Sequence, residues 1–420
     1  MMVNCVGDQA TYHRPLDAPL TADTEGFARA VSGWVRTAMR AEDVGRDAAQ
    51  AVQAARTTPG TIATLILPSD TCWDAGGVVA AALPVPVAQA APLSFVKQVA
   101  AVLRSGEPVV MVMGHTALRA GPLATASAIA AATGARMVAQ TSNARIERGA
   151  GRHPIHRIPY PVDMAVASLA DVKHVVLVGA QKPVGFFAYP GKPGYMYPQT
   201  ATVHVLARLE HDLAATLALL AEEVGAGLVA APSGPRGAPA LGKISSEALG
   251  QSLQALLPEQ AIVVDESVSY GRGLYSGMFN AAPHDWLQLT GGAIGDGLPL
   301  STGAAVACPD RRVVTLQADG SAMYTVQALW TQARERLDVT TVILSNRKYA
   351  ILLGELANVG ANPGRTALDM MDLGNPDLDW VRIAGGMGVE GARASTMEDF
   401  NDLFAQANGR KGPFVIELMI

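Results

Sequence analysis

From Arg312 to Leu344 the chain reads as strand, turn, helix and strand, and that succession leaves little choice of fold. The strand Arg312–Gln317 is followed by the turn Ala318-Asp-Gly-Ser321, a helix predicted from about Met323 to Arg336, and the strand Val339–Leu344. A helix of about 14 residues climbs roughly 21 Å, and a strand of about six residues returns roughly 20 Å. The two lengths match. A right-handed crossover of this kind makes the strands parallel. Asp319 and Asn346 then emerge together at the carboxyl ends of two strands, facing the crevice where open α/β sheets bind ligands.

The same alternation recurs along all 420 residues, too many for one core, since single cores stop growing near 250–300 residues. Stretches rich in Pro, Gly and Ala divide the chain into blocks 1–77, 91–224 and 243–420. The first holds a strand at Val3–Val6 with no earlier element to pack on, a helix Ala41–Arg56, and a buried strand Thr61–Leu67 ending at Pro68. In the second we predict helices Ser94–Arg104 and Ala117–Ala132 and strands Val109–Met113, Met137–Gln140 and His174–Val178. The third adds a helix Ser246–Leu256, a strand Ala261–Val264, the Gly-rich turn Gly291–Gly297, helices Asp379–Met387 and Met397–Ala407, and a last strand Pro413–Leu418. The fold class is α/β, in layers of parallel sheet covered by helices. The first block is thin for a covered sheet.

With 49% apolar and 16% charged residues the chain is neither disordered nor a coiled coil. Its 32 basic against 37 acidic side chains leave a formal charge of -5, so no basic stripe exists for a phosphate backbone, and nucleic acid is not an expected partner. Cys5, Cys72 and Cys308 are too far apart in sequence for a metal or redox pair, which fits a reducing cytoplasm. The small-apolar stretch Ala75–Leu93 carries Pro84, Pro86 and Pro92, and so reads as a linker; no membrane association is expected.

Asp319 and Asn346 carry the chemistry. Magnesium takes six oxygens and is usually held by one or two protein groups together with substrate phosphates. The Asp319 carboxylate, the Asn346 amide oxygen and the backbone carbonyl of Lys348 would supply three, leaving the rest to a diphosphate and water. Gly320 lets the backbone turn without a Cβ. The Ser321 hydroxyl and the following helix N-terminus could donate to anionic oxygens. The same residues would also serve as a plain helix N-cap and a strand-end turn.

Asp319-Gly-Ser321, continuing Ala-Met-Tyr-Thr-Val-Gln-Ala-Leu-Trp-Thr-Gln-Ala-Arg334 and closing at Ser345-Asn346 with Tyr349, resembles the thiamin diphosphate motif of the acetolactate synthase and benzoylformate decarboxylase superfamily. Thr290–Pro299 is similar to that family's Gly-rich segment, and Thr61–Trp73 to the end of its pyrimidine-binding domain. The likeness implies a pyrimidine-binding domain represented by its C-terminal part (1–77), a central domain (91–224) and a diphosphate-binding domain (243–420). It implies thiamin diphosphate and Mg2+ as cofactors, a 2-oxo acid such as pyruvate as substrate, and a homodimer or homotetramer. Gly292, Ile294, Gly320, Ser321, Ser267 and Tyr349 would line the cofactor, with Ile294 wedging it into a bent shape; Asp319, Asn346 and Lys348 would hold the metal. Whether FAD occupies the central domain, as in some acetolactate synthases, stays open.

Two departures at the motif are mild: Ala318 stands for the usual first Gly, and Ser345 for the first of two Asn. A third matters more. The family's catalytic Glu lies in a segment like F-E-x-x-A-x-x-A-x-G-Y-A, which these residues do not contain, and neither Glu25 nor Glu42 has matching surroundings. The catalytic group is therefore unassigned, and the sequence reads as starting partway through the pyrimidine-binding domain. An exposed apolar edge is expected there. Ser267 is favoured over Asp265 and Glu266 beside a diphosphate, because a buried carboxylate would repel it. His13 could face a cofactor or simply pack; His153 and His156 read as structural. Met323, Tyr324, Leu329 and Trp330 fit the apolar face of one helix.

Overall fold

The computed structural model describes residues Met1–Ile420. The chain divides into two compact units, Met1–Ala91 with Ala207–Ala215, and Pro92–Leu206 with Thr216–Ile420.

In the first unit, strands β1 (Met2–Asp8), β2 (Trp34–Thr37) and β3 (Ile62–Pro68) form a parallel sheet in the order β1-β3-β2. The strand expected to stand alone is thus an edge strand paired from Met2↔Ile62 to Asp8↔Pro68. The helix Ala41–Arg56 has the predicted bounds and presses Ala51 and Ala55 onto Ala63 of β3. A short helix Thr24–Val31, capped by Asp23, and β2 were not expected. No residue of β2 is fully buried, so it offers no hydrophobic alternation to read.

Two sheets build the second unit. Strands β4 (Val109–Met113), β5 (Arg136–Ala139), β7 (His156–Arg157), β8 (His174–Val178) and β9 (Thr202–Ala207) take the order β7-β5-β4-β8-β9. The larger sheet has seven strands, in the order β14-β15-β13-β12-β10-β11-β6: β6 (Ile146–Arg148), β10 (Ile262–Glu266), β11 (His284–Gln288), β12 (Val313–Ala318), β13 (Val339–Ser345), β14 (Glu390–Ala394) and β15 (Phe414–Met419). Six are parallel, while β6 arrives from the central block and pairs antiparallel to β11. Every residue of β10 and β13 is buried, the signature of a sheet covered on both faces. Trp380, Leu329, Ile343 and Val415 meet on one face; Val264, Val313, Val339 and Ala305 cluster with Ile262. No helix is long and apolar enough to cross a membrane.

The helix expected from Met323 to Arg336 forms only over Ala328–Arg334, and the expected turn Ala318–Ser321 instead opens a one-turn helix, Asp319–Ala322. Between them the Thr325 hydroxyl donates to the Gly295 carbonyl at 2.6 Å, and Gly295 lies against the Tyr324 Cβ. That tertiary pull overrides a helical propensity which β-branched Thr325 and Val326 already weaken. Leu329 is buried, but Met323, Tyr324 and Trp330 are exposed, so the expected continuous apolar face does not exist.

Candidate active site

Strand register brings the predicted metal residues together. Ala318 lies opposite Leu344, so Asp319 and Asn346 leave adjacent strands on the same side. Asp319 begins its short helix and is 2% exposed. Its Oδ1 accepts the Gly320 N–H at 2.8 Å, and its Oδ2 reaches across to accept the Arg347 N–H at 2.7 Å. It is therefore not an N-cap; that position belongs to Ala318. Burial pushes the Asp319 carboxyl above its ordinary range, although the N–H groups of Arg347, Gly320 and Asn346 pull it back. A carboxylate short of solvation but ringed by oriented amides is suited to a hard cation.

Asn346 Oδ1 accepts the Lys348 N–H at 2.9 Å, closing a tight turn with Arg347 at φ 55°. Lys348 pairs with Asp372 in an isolated antiparallel bridge, flanked by Tyr349 N–H to the Met371 carbonyl and Leu373 N–H to the Arg347 carbonyl, each 2.9 Å. In such a pair the central residue's own carbonyl points away from its neighbour, as a ligand at Lys348 requires. Gly320 is needed here, because a Cβ would strike the Tyr349 ring. The Ser321 hydroxyl donates to the Ala318 carbonyl at 3.2 Å and accepts from Gln317 Nε2 at 2.8 Å.

The Gly-rich turn passes beside this motif. Gly291, Gly292 and Gly295 have φ of 64°, 70° and 94°, left-handed values that other residues rarely adopt. Ile294, 43% exposed, projects from the turn. A Cβ on Gly292 would press on the Phe186 ring, which belongs to the central block and lies 5.9 Å from Tyr160. In the same segment the Tyr189 hydroxyl donates to Glu355 Oε2 at 2.7 Å.

Ser267 is favoured by charge over its neighbours. The structure ties the Ser267 hydroxyl to Asp265 Oδ1, and it is Glu266 that grips the turn, accepting the Gly295 N–H, the Gly297 N–H at 2.6 Å and Gln317 Nε2 at 3.1 Å. The usable signal was a carboxylate at a strand end opposite a turn dense in unpaired N–H groups. His13 follows β1 in the first unit, His153 is buried, and exposed His156 sets its ring edge against Phe279 at 4.9 Å.

Residues 273–418 match the family described as "Thiamine pyrophosphate enzyme, C-terminal TPP binding domain". Over 422 aligned residues the chain is 49% identical to the "Putative acetolactate synthase large subunit IlvX" of Mycobacterium tuberculosis, covering 100% of this chain and 81% of that protein. The chain belongs to the thiamine pyrophosphate enzyme family. A benzoylformate decarboxylase of Pseudomonas aeruginosa is 33% identical over 49% of the chain and 39% of its own length. The solved thiamine diphosphate-dependent 4-hydroxybenzoylformate decarboxylase of Rhodococcus jostii superposes with a TM-score of 0.76 at 25% identity, covering 99% of this chain and 81% of that one. The matched thiamine pyrophosphate region contains Gly292, Ile294, Asp319, Gly320, Ser321, Asn346, Lys348 and Tyr349, while Glu266 and Ser267 lie just before it.

Proposed function

We propose that this chain binds thiamin diphosphate through Mg2+ and acts on 2-oxo acids in the manner of an acetolactate synthase, decarboxylating pyruvate and joining the remainder to a second carbonyl compound. The observation that supports it best is the Asp319 carboxylate, buried between the ends of β12 and β13 and bonded to the turn that carries Asn346 and Lys348. Asp319, Asn346 and the Lys348 carbonyl would hold the metal. Gly292 and Gly320 give the backbone close approach, Ser321 offers a hydroxyl, and Ile294 and Tyr349 present apolar surface. Bound thiamin diphosphate would supply the carbanion and the electron sink for losing carbon dioxide. The chain's residues fix where its diphosphate and metal sit.

A second reading, non-oxidative decarboxylation of the benzoylformate type, is favoured by the aromatic Phe186 beside Gly292, with Tyr160 packed on Phe186. Pyruvate consumption with acetolactate formation supports the first reading. Carbon dioxide release from benzoylformate alone, with aldehyde as product, replaces it with the second.

Binding and turnover are separate expectations, since the family's catalytic Glu segment has no counterpart in these residues and a general acid–base group is typically worth about 10²–10⁴ in rate. Calorimetric binding of Mg2+ and thiamin diphosphate without turnover of any 2-oxo acid would leave a cofactor-binding chain that is not enzymatically self-sufficient. The same reading places a homodimer or homotetramer in the cytoplasm, checked by sedimentation, and a visible spectrum of purified protein tests for FAD.

A further inference from the structure

The Gly-rich turn hangs on one carboxylate, and a second carboxyl group stands against the first. Glu266, the last residue of β10, is 1% exposed, and its three N–H partners are Gly295, Gly297 and the side chain of Gln317. All three are donors, so the Glu266 carboxyl is surrounded by groups it can only accept from. Between those two glycines sits Asp296, half-buried, with its Oδ1 buried and without a protein partner. Two carboxyl groups can share a hydrogen bond only through a proton. Glu266 has three N–H groups to offset its charge and the buried Asp296 Oδ1 has none, so the geometry places the proton on Asp296.

We propose that Asp296 is a positioning residue, a protonated latch that acts through Glu266 to hold the Gly-rich turn in its cofactor-ready shape. With its proton, Asp296 donates to Glu266 and the Gly295 and Gly297 amides stay seated. Without it, two negative charges meet in a poorly solvated place and the turn loosens. Loss of water, then the charges of Glu266 and Asp265, push the Asp296 carboxyl up to about 6. The groups packed around it are known. Glu266 and Asp265 come from β10; neutral Gln317 comes from β12; the neutral side chains of Tyr324 and Thr325 press on Gly295. The cations Arg148 and Arg157 face Asp265, whose charge favours their protonated forms. For a carboxyl raised in the folded state, the stabilising contribution is full below the ordinary Asp range and is lost as pH rises through about 6. The network also reaches the diphosphate motif, because Gln317 Nε2 bonds both Glu266 and Ser321.

This latch rests on the cofactor reading for its purpose, but its first test needs no cofactor. Hydrogen exchange of the peptide spanning 290–300 is followed by mass spectrometry in the full-length native chain and in D296N, at pH 5.5 and 7.5, after correction for the intrinsic chemical rate. Native protection is expected to fall at least threefold between the two pH values, roughly as the competent fraction falls. D296N, whose amide donates to Glu266 at either pH, should hold its protection constant. E266Q should loosen the turn at both pH values. Constant native protection, or a D296N response equal to the native one, overturns the latch. If D296N does not fold, the native measurement alone decides.

A second readout titrates Mg2+ with thiamin diphosphate by tryptophan fluorescence. The cofactor's phosphate ionises in the same window, so the quantity compared is the native Kd divided by the D296N Kd, expected to rise at least threefold from pH 5.5 to 7.5. An unchanged ratio overturns the latch. Binding by neither protein defeats the cofactor reading instead, and the exchange data still decide on Asp296.

Discussion

The two units share parallel strands but treat them oppositely. In the seven-stranded sheet, β10 and β13 are buried at every residue; in the three-stranded sheet, β1 alternates between exposed and half-buried, and β2 is nowhere fully buried. A sheet covered on both faces excludes water from its strand ends. There a carboxylate such as Asp319 or Glu266 can be stripped of solvent and aimed by backbone amides. The first unit leaves Tyr12, Leu16, Leu20, Phe27, Val31 and Met39 exposed. Such a difference predicts where substitution hurts.

The largest effect should fall on the covered sheet. Trp380 is fully buried among Leu298, Leu329, Ile343 and Val415, and Trp380→Ala is expected to cost about 3–5 kcal/mol through lost burial and the cavity left behind. Chemical denaturation monitored by circular dichroism measures it, and a loss below about 1 kcal/mol would mean that this layer is not the covered one. Next in size is the site built on that sheet. Asp319→Ala should weaken binding of thiamin diphosphate with Mg2+ by about 100-fold or more in calorimetry, or about 3 kcal/mol. Folding should survive, because a carboxylate that burial disfavours is not what holds the sheet together. Binding that persists within a factor of three refutes the metal assignment.

A middle-sized effect comes from pH. His284 in β11 is fully buried, and its Nδ1–H donates to the Ala282 carbonyl at 2.6 Å. Burial, followed by the nearby Arg148 charge, drives its imidazolium down to about 3. The folded chain therefore keeps His284 neutral where the unfolded chain, titrating near 6.5, gains a proton. Stability from this group is whole above about 6.5 and is lost as pH falls toward 3. At pH 4.5 the loss is on the order of 3 kcal/mol. Thermal melts of native protein and His284→Gln across pH 4.5–7 should show a shallower acid limb for the variant; parallel limbs would remove His284 from the account.

What could be read beforehand follows the same divide. The helices Ala41–Arg56 and Ser246–Leu256 and the strand His174–Val178 have their predicted bounds, because local periodicity and turn residues fix them. The meeting of Asp319 with Asn346 was also legible, since it needs only a crossover between neighbouring strands. It survives the break in the intervening helix because pairing of β12 with β13, not helix length, sets the geometry. That break depends on a hydrogen bond from Thr325 to Gly295, and β6 joins the larger sheet from residues far upstream; neither leaves a local pattern. Repulsion of a carboxylate by phosphate, the property the sequence makes visible, points away from Glu266. Its amide partners become visible only when the turn folds over it.

The smallest effect should come from the first unit, and it is the one most able to break the comparison. Phe27 lies on the helix Thr24–Val31, whose one buried residue is Ala28, and its own side chain is 76% exposed. Phe27→Lys removes a solvent-facing ring without opening a cavity, so stability should change by no more than about 0.5 kcal/mol. Self-association, followed by dynamic light scattering against concentration, should decrease, since a charge then stands beside exposed Val31 one turn along the helix. A loss of 2 kcal/mol or more cannot come from a residue in water. It would mean that in solution a second copy of the chain covers this helix, and that the first unit is as enclosed as the second once assembled.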